Sequence, residues 1–249
     1  MEIIRVNQDN IEKEHICCSI SDKKSTQVKK EWMKQRFAEG YRFWKMDGCG
    51  KAFIEATPAE NAWVPIDAEG WMFLDCFWVA GSFAKNGYGS SLLEVCVAEA
   101  KAEGKKGVAA ISSVKKKPFL SDGKFYKAHG FLVADTAYPD FELLALPFSS
   151  EASMPAFCSC AREGKTDGNG IVIFYTDHCP WNAKYIPRLT QIALERNAPV
   201  SFRKIISKEE AQASPSPFPT YSVFADGKFL SNEMMSDKKF VRFLEEKGY

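Results

Sequence analysis

Residues 73–100, FLDCFWVAGSFAKNGYGSSLLEVCVAEA, decide the fold expected for the first half of the chain. Phe73 to Ala80 is an apolar and aromatic run of strand length, and apolar residues from Leu92 to Ala100 recur at helical spacing. Between them, Gly87 and Gly89 leave the backbone open where the first N–H groups of a helix lack partners and the helix dipole adds positive charge. The stretch predicts a strand, a glycine turn and a helix that together hold a phosphate or pyrophosphate. A turn that only packs the helix on a sheet is the alternative.

A second segment, KFYKAHGF at residues 124–131, predicts a helix end, a glycine cap and the start of a strand. An apolar strand, Gly107 to Ile111, is predicted between this segment and the glycine turn. The pair KNGYGSSLLE (residues 85–94) and KFYKAHGF resembles the GNAT superfamily of N-acetyltransferases, and the resemblance covers about residues 1–147. Ala84 departs from the family's pattern, which has Gln or Arg three residues before the first glycine; Lys85 is the alternative source of charge.

Longer segments resemble a narrower group, the acetyltransferases that carry a YoaP-like C-terminal domain. They are EHICCSISDKK (14–24), AENAWVPI (59–66), CFWVAGSFAKNGYG (76–89), KKKPFLSDGKFYKAHGF (115–131) and DTAYPDFELLALPF (135–148). This resemblance extends over the whole chain and implies the fold and the reaction class. It does not identify the acceptor of the acetyl group.

The resemblance implies acetyl-CoA as co-substrate and assigns roles to residues of this sequence. The expected cofactor-binding residues are Phe77, Trp78, Val79, Lys85, Asn86, Gly87, Tyr88, Gly89 and Ser90. Tyr126 is expected to protonate the sulfur of the departing CoA, because a phenol is neutral at pH 7 yet can release a proton. Glu55 is the first candidate for the base that takes the proton of the amine, and Asp75 on the central strand is the second. Cys17 and Cys18 are expected near the acceptor.

The composition changes after Leu146. Pro147 to Gly170 is rich in Ser, Pro, Gly and charged residues, which predicts a linker or surface connection. A second alternation of strands and helices then begins at Ile171. We therefore expect three parts: a GNAT domain at 1–147, a linker at 148–169 and a YoaP-like domain at 170–249. The fold class is mixed α/β (α+β).

The order of elements in the last part resembles a thioredoxin or glutaredoxin fold, in which a cysteine follows the first strand and a cis proline faces it. Cys179 and Pro219 would be those residues. Because CPWN (179–182) replaces the C-x-x-C motif, the second cysteine of a dithiol site is missing. Either Cys179 has a monothiol function favoured by a helix N-terminus, or it is a structural remnant.

The composition excludes several classes of function. With 33 basic and 32 acidic residues the net charge is +1, so nothing indicates binding to nucleic acid, and no apolar run is long enough for a membrane span. We expect a cytoplasmic protein whose 8 cysteines are reduced thiols. The Cys158-x-Cys160 pair has no second ligand pair, so no metal site is expected. A homodimer is left open.

Two hypotheses follow. In the first, the protein is an N-acetyltransferase that acts on a small amine, and its C-terminal domain aids recognition. In the second, it is a CoA-binding or monothiol redox-sensing module with weak catalysis, an alternative based on Ala84 and the single Cys179.

Overall fold

The structure is a computed structural model that describes residues 1–16, 18–19, 21–48, 51–167 and 169–249. Cys17, which is expected near the acceptor, lies outside these residues, as do Cys49 and Gly50, whose sequence predicts a hairpin turn. The first 147 residues contain these strands: β1 Ile3–Val6, β2 Arg42–Met46, β3 Lys51–Pro58, β4 Ile66–Asp67, β5 Met72–Ala80, β6 Gly107–Ser113, β7 Leu132–Ala137 and β8 Phe141–Pro147. The helices of this part are α1 Lys23–Phe37, α2 Tyr88–Ala102 and α3 Gly123–Ala128.

The described strands of this part, apart from β4, form one sheet in the order β1-β2-β3-β5-β6-β8-β7. The pair β5–β6 is parallel and the other neighbours are antiparallel. The pairing of β5 with β6 runs only from Met72 to Leu74 and then stops, whereas β3 stays paired with β5 as far as Ala80. The sheet therefore opens beside the second half of β5.

A β-bulge shapes the same half of β5. The register with β3 shifts between Glu55 and Ala56, so that Asp75 is the extra residue between Leu74 and Cys76. A bulge redirects the side chain that it contains and bends its strand. Asp75 is thereby placed where β5 and β6 separate.

Local sequence places the starts of α1 and α2. Apolar residues at helical spacing predict a helix from Thr26 to about Glu39, and the observed helix is Lys23–Phe37, because the Asp22 carboxylate accepts from the backbone N–H of Ser25 and starts the helix earlier. Helix α2 begins at Tyr88, and Gly87 precedes it with a left-handed φ of 78°. The prediction of a strand, a glycine turn and a helix is confirmed.

The last 80 residues form a second sheet. Its strands are β10 Ile171–Tyr175, β11 Val200–Lys204, β12 Tyr221–Ala225 and β13 Lys228–Ser231, in the order β11-β10-β12-β13. Strand β10 is parallel to β11 and antiparallel to β12, and β13 is antiparallel to β12. The helices are α5 Pro180–Glu195, α6 Lys208–Gln212 and α7 Asp237–Glu246. Buried Leu189, Phe240 and Leu244 pack with Ile173 and Val223 of the sheet.

Residues 148–169 are attached to both units. Strand β9, Ala156–Phe157, pairs with β4, and α4, Ser159–Arg162, follows it. Hydrophobic clusters also cross between the units: Val172 and Phe224 pack with Phe141 and Phe157. The connection is therefore packed, and the two units share buried surfaces. No described helix is long and apolar enough to cross a membrane.

Candidate active site

The glycine turn opens onto the start of α2. Lys85 has a φ of 63° and Gly87 one of 78°, so the chain reverses tightly before the helix. The free N–H groups of the first helical turn point out of the helix end, where an anion can accept from them. Ser90 is joined to the second motif, because its Oγ lies 2.8 Å from His129 Nε2.

A cavity of about 1270 Å³ runs from this turn along β5 to the C-terminal unit. Its volume exceeds the roughly 300–1,000 Å³ typical of a site for one small ligand. Of the predicted cofactor-binding residues, those that line it are Phe77, Trp78, Val79, Lys85, Gly87, Tyr88, Gly89 and Ser90. Asn86 is not in the lining; its side chain donates to the Ser82 carbonyl at 2.7 Å.

Tyr126 lies behind the cavity wall. It is buried among Phe77, Phe125 and Phe131, with ring centroids at 6.1, 5.8 and 5.2 Å, and it is not part of the lining. Burial raises the pKa of its hydroxyl, against a hydrogen bond to Ser121 that lowers it. The phenol therefore holds its proton firmly.

Glu55 occupies the centre of a buried cluster. Its carboxylate accepts from Lys29 Nζ, from the Tyr41 hydroxyl at 2.7 Å and from His178 Nε2 at 2.6 Å. Burial raises the pKa of Glu55, but the charges and hydrogen bonds of Lys29 and His178 outweigh that effect and hold the pKa at about 2. Glu55 is thus ionised, and three donors share its two oxygens.

Asp75, the second candidate base, has a different environment. It lines the cavity at the bulge and accepts from the Thr57 hydroxyl at 2.6 Å. Burial raises the pKa of Asp75 to about 6, although His178 and the hydrogen bond from Thr57 act to lower it. Two carboxyl groups of neighbouring strands therefore have pKa values shifted in opposite directions, as acid and base groups of active sites often do.

Of the described cysteines, those that line the cavity are Cys18, Cys76 and Cys179. Cys179 is the N-cap residue of α5, and the Trp181 indole donates to Cys18 Sγ at 3.1 Å. Burial raises the pKa of the Cys76 thiol. Asp177, two residues before Cys179, pairs with Lys204 at 2.6 Å. Among the residues described, no group of three or more His, Cys, Asp and Glu side chains could hold a metal ion.

Pro219 does not follow the arrangement implied by the thioredoxin resemblance. The cis peptide bond within the described ranges is Tyr138-Pro139, so the bond before Pro219 is trans. The cavity is lined by its neighbours Phe218 and Thr220 and not by Pro219 itself.

The sequence did not indicate His178, Lys29 or Trp32 as site residues. His178 is largely buried, lines the cavity and packs on the Trp32 ring at a centroid distance of 4.9 Å. One sequence feature could have indicated His178: it lies directly before Cys179 in the loop after a buried strand, where functional side chains often lie.

Comparisons with known proteins identify the family. A model of the acetyltransferase (GNAT) family matches residues 9–131, and a YoaP-like model matches residues 199–242. A Bacillus subtilis (strain 168) protein described as the uncharacterized N-acetyltransferase YoaP is 41% identical over 244 residues, which is 97% of both chains.

Solved structures also match part of the chain. An acetyltransferase of the GNAT family from Staphylococcus aureus Mu50 is 18% identical with a TM-score of 0.42, covering 59% of this chain and 99% of its own. The PaiA N-acetyltransferase from Thermoplasma acidophilum, solved with coenzyme A, is 15% identical with a TM-score of 0.41 and covers 59% and 100%. From the matching family model and the full-length relative, we conclude that the chain belongs to the GNAT family of acetyl-CoA-dependent N-acetyltransferases and carries a YoaP-like C-terminal region.

Proposed function

We propose that the protein transfers the acetyl group of acetyl-CoA to the amine of a small molecule that binds between the two units. The observation that carries this proposal is the single cavity that joins the glycine turn, the open half of β5 and the C-terminal unit. Donor and acceptor can meet there without leaving the protein, and proximity of this kind lowers the barrier to transfer.

On the donor side, Gly87 to Ser90 and Lys85 would hold the pyrophosphate of acetyl-CoA. The backbone of β5 near Phe77 and Val79 would bind the pantetheine arm, because these residues lie where β6 no longer pairs with β5. The GNAT domain would comprise residues 1–147, the connection 148–169 and the YoaP-like domain 170–249.

On the acceptor side, we propose that the C-terminal domain is thioredoxin-like and aids recognition. The sheet order β11-β10-β12-β13 and a cysteine at the start of α5 support that assignment. Asn182, Tyr221 and Asn232 line the cavity and place polar atoms in its wall. With the aromatic walls, these atoms favour an amine that has an apolar or aromatic body and one polar group.

Release of free CoA thiol from acetyl-CoA tests the proposal. The amines are 2-phenylethylamine, tyramine and tryptamine, with ethanolamine as a compact comparison. We expect amine-dependent release that is faster with the aromatic amines. Thermal stabilisation by acetyl-CoA without release on any amine would contradict the proposal. It would favour the second candidate, a CoA-binding monothiol redox sensor, which the three thiols of the cavity support.

Tyr126→Phe tests the proposed acid. The change removes only the hydroxyl and keeps the ring among Phe77, Phe125 and Phe131. The turnover rate should fall about a hundredfold, the usual contribution of a general acid, while the urea unfolding curve changes little. The exposed Tyr138→Phe is the matched control. Reduced stability with an unchanged rate would make Tyr126 a core residue only.

A further inference from the structure

His178 belongs to the C-terminal unit but makes its closest polar contact with the first unit. Its Nε2 lies 2.6 Å from Glu55 Oε2 of β3, and its backbone N–H donates to Thr176 Oγ1 at 3.3 Å. The ring packs on Trp32 of α1. The imidazole is thus held by both units and fixed at the edge of the cavity.

The hydrogen bonds determine which ring nitrogen is protonated. The Glu55 carboxylate can only accept, so His178 Nε2 carries the hydrogen of that bond. In the neutral imidazole, Nδ1 then has a free lone pair. Nδ1 makes no hydrogen bond to the residues described, and it is not among their fully buried unpaired polar atoms. Since His178 lines the cavity, Nδ1 is the ring atom open to a ligand.

We infer that His178, supplied by the C-terminal unit and oriented by Glu55, is the general base that removes the proton of the acceptor amine. The arrangement matches a carboxylate that orients a catalytic histidine, in which the carboxylate stabilises the imidazolium that forms. Glu55 is then a positioning residue rather than the base. The inference rests on the proposed function and deepens it, because it makes the active site a joint product of the two units.

The proposed acetyl transfer conserves atoms and charge. The amine nitrogen attacks the carbonyl carbon of the thioester, the N–C bond forms and the C–S bond breaks. The amine proton passes to His178 Nδ1 and from there to solvent, and the departing sulfur takes up one proton from solvent or from Tyr126, the donor that Tyr126→Phe tests. The products are the N-acetyl amide and CoA. Among the described residues, the charged and titratable groups near His178 include its chain neighbours Asp177 and Cys179, the cavity residues Lys29, Cys18, Asp75 and Cys76, and Tyr41 and Glu55 of the buried cluster.

The test measures kcat/KM against pH for the wild type, His178→Gln and Glu55→Gln, with the amine that the wild type uses best. His178→Gln should lose about a hundredfold or more near pH 7, the size of a general-base contribution. This deficit should narrow toward high pH, where the free amine and hydroxide replace the base. Acetyl-CoA affinity should stay within about twofold, because His178 lies away from the glycine turn.

Glu55→Gln provides a readout that a purely structural role would not move. Loss of the negative charge disfavours the imidazolium, so the acidic limb of the pH profile should shift to lower pH. Glu142→Gln is the matched control. Glu142 is also a buried carboxylate paired with a lysine, Lys127 at 2.7 Å, but it is not part of the cavity lining. The pH profile of Glu142→Gln should have its acidic and basic limbs at the same pH values as the wild type.

A His178→Gln enzyme within about threefold of wild type at every pH, or one reduced by the same factor from about pH 6 to pH 10, would overturn the inference. If none of the amines supports CoA release by the wild type, the proposed function and the assignment of His178 as the base fail together. Should His178→Gln not fold, diethyl pyrocarbonate decides the matter, because the chain has only 3 histidines to map. Activity should disappear in step with the modification of His178, and bound amine should slow that modification. Full activity after its modification would contradict the inference.

Discussion

Lys29→Met should lower the free energy of unfolding by about 3–5 kcal/mol at pH 7, the usual consequence of removing one partner of a buried ion pair. Lys29 and Glu55 are both almost fully buried, and the ammonium group also lies over the rings of Phe43 and Phe53 at 5.8 and 5.7 Å. Methionine keeps much of the side-chain volume. The loss therefore arises mainly because the buried Glu55 carboxylate loses its lysine partner and keeps only Tyr41 and His178, and urea unfolding measures it.

Lys127→Met is the control for this prediction, since the Lys127 side chain is 43% exposed in its pair with Glu142. An exposed partner of this kind should contribute no more than about 1 kcal/mol. The pH dependence gives a second check. Because the pKa of Glu55 lies at about 2, below its ordinary value of 4.5, the cluster's contribution is complete above pH 4.5. It is lost as the pH falls toward 2. Equal losses in the two variants would mean that the Lys29–Glu55 pair is effectively solvated.

Gly89→Val should abolish acetyl-CoA binding. Titration should show no saturation up to about 1 mM acetyl-CoA, which means a binding free energy weaker than roughly −4 kcal/mol. A Cβ on Gly89 would lie 3.1 Å from Phe77 Cζ and 3.3 Å from the Phe125 ring, and both rings line the cavity. A branched side chain must move these rings or displace the first turn of α2, whose N–H groups are the proposed anion site. Isothermal titration with acetyl-CoA measures the effect.

Ser91→Val is the matched control, because it places the same side chain in the same helical turn at a position outside the cavity lining. Its acetyl-CoA affinity should remain close to that of the wild type. A folded Gly89→Val protein that binds acetyl-CoA normally would show that the glycine turn is not the cofactor site.

The sequence was informative where the structure depends on local patterns. The apolar strand, the turn around Gly87 and the helix after it are each determined by residues close together in the chain, so their positions could be predicted. The predicted start of α1, Thr26, lies after the observed start, Lys23, because Asp22 caps the helix. These elements also brought the predicted cofactor residues, apart from Asn86, to one cavity.

The acceptor side could not be predicted in the same way. Glu55 and His178 are 123 positions apart, and no local pattern states which loop of one unit will contact which strand of the other. The role of Glu55 as a partner of Lys29 and His178 depends on that contact. The bulge at Asp75 likewise arises from strand register, which the sequence of β5 alone does not reveal.

The proposed joint site would give the C-terminal unit a physical reason to accompany the acetyltransferase domain. It contributes His178, Cys179 and Trp181 to the cavity, while the first unit contributes the glycine turn and β5. The hydrophobic clusters that cross between the units hold these parts of the cavity wall together. Substitutions in the C-terminal unit should therefore affect acceptor use and leave donor binding intact.

Trp181→Ala tests this claim most directly, because Trp181 lines the cavity, stacks on Tyr185 at 5.9 Å and donates to Cys18. The measurement is the KM for the amine beside the Kd for acetyl-CoA, with the exposed Leu230→Ala of the same unit as control. We predict that the KM for the amine rises about tenfold, equivalent to roughly 1.4 kcal/mol, while the Kd for acetyl-CoA stays unchanged. An unchanged KM for the amine in a folded Trp181→Ala protein would contradict an acceptor site shared by the two units.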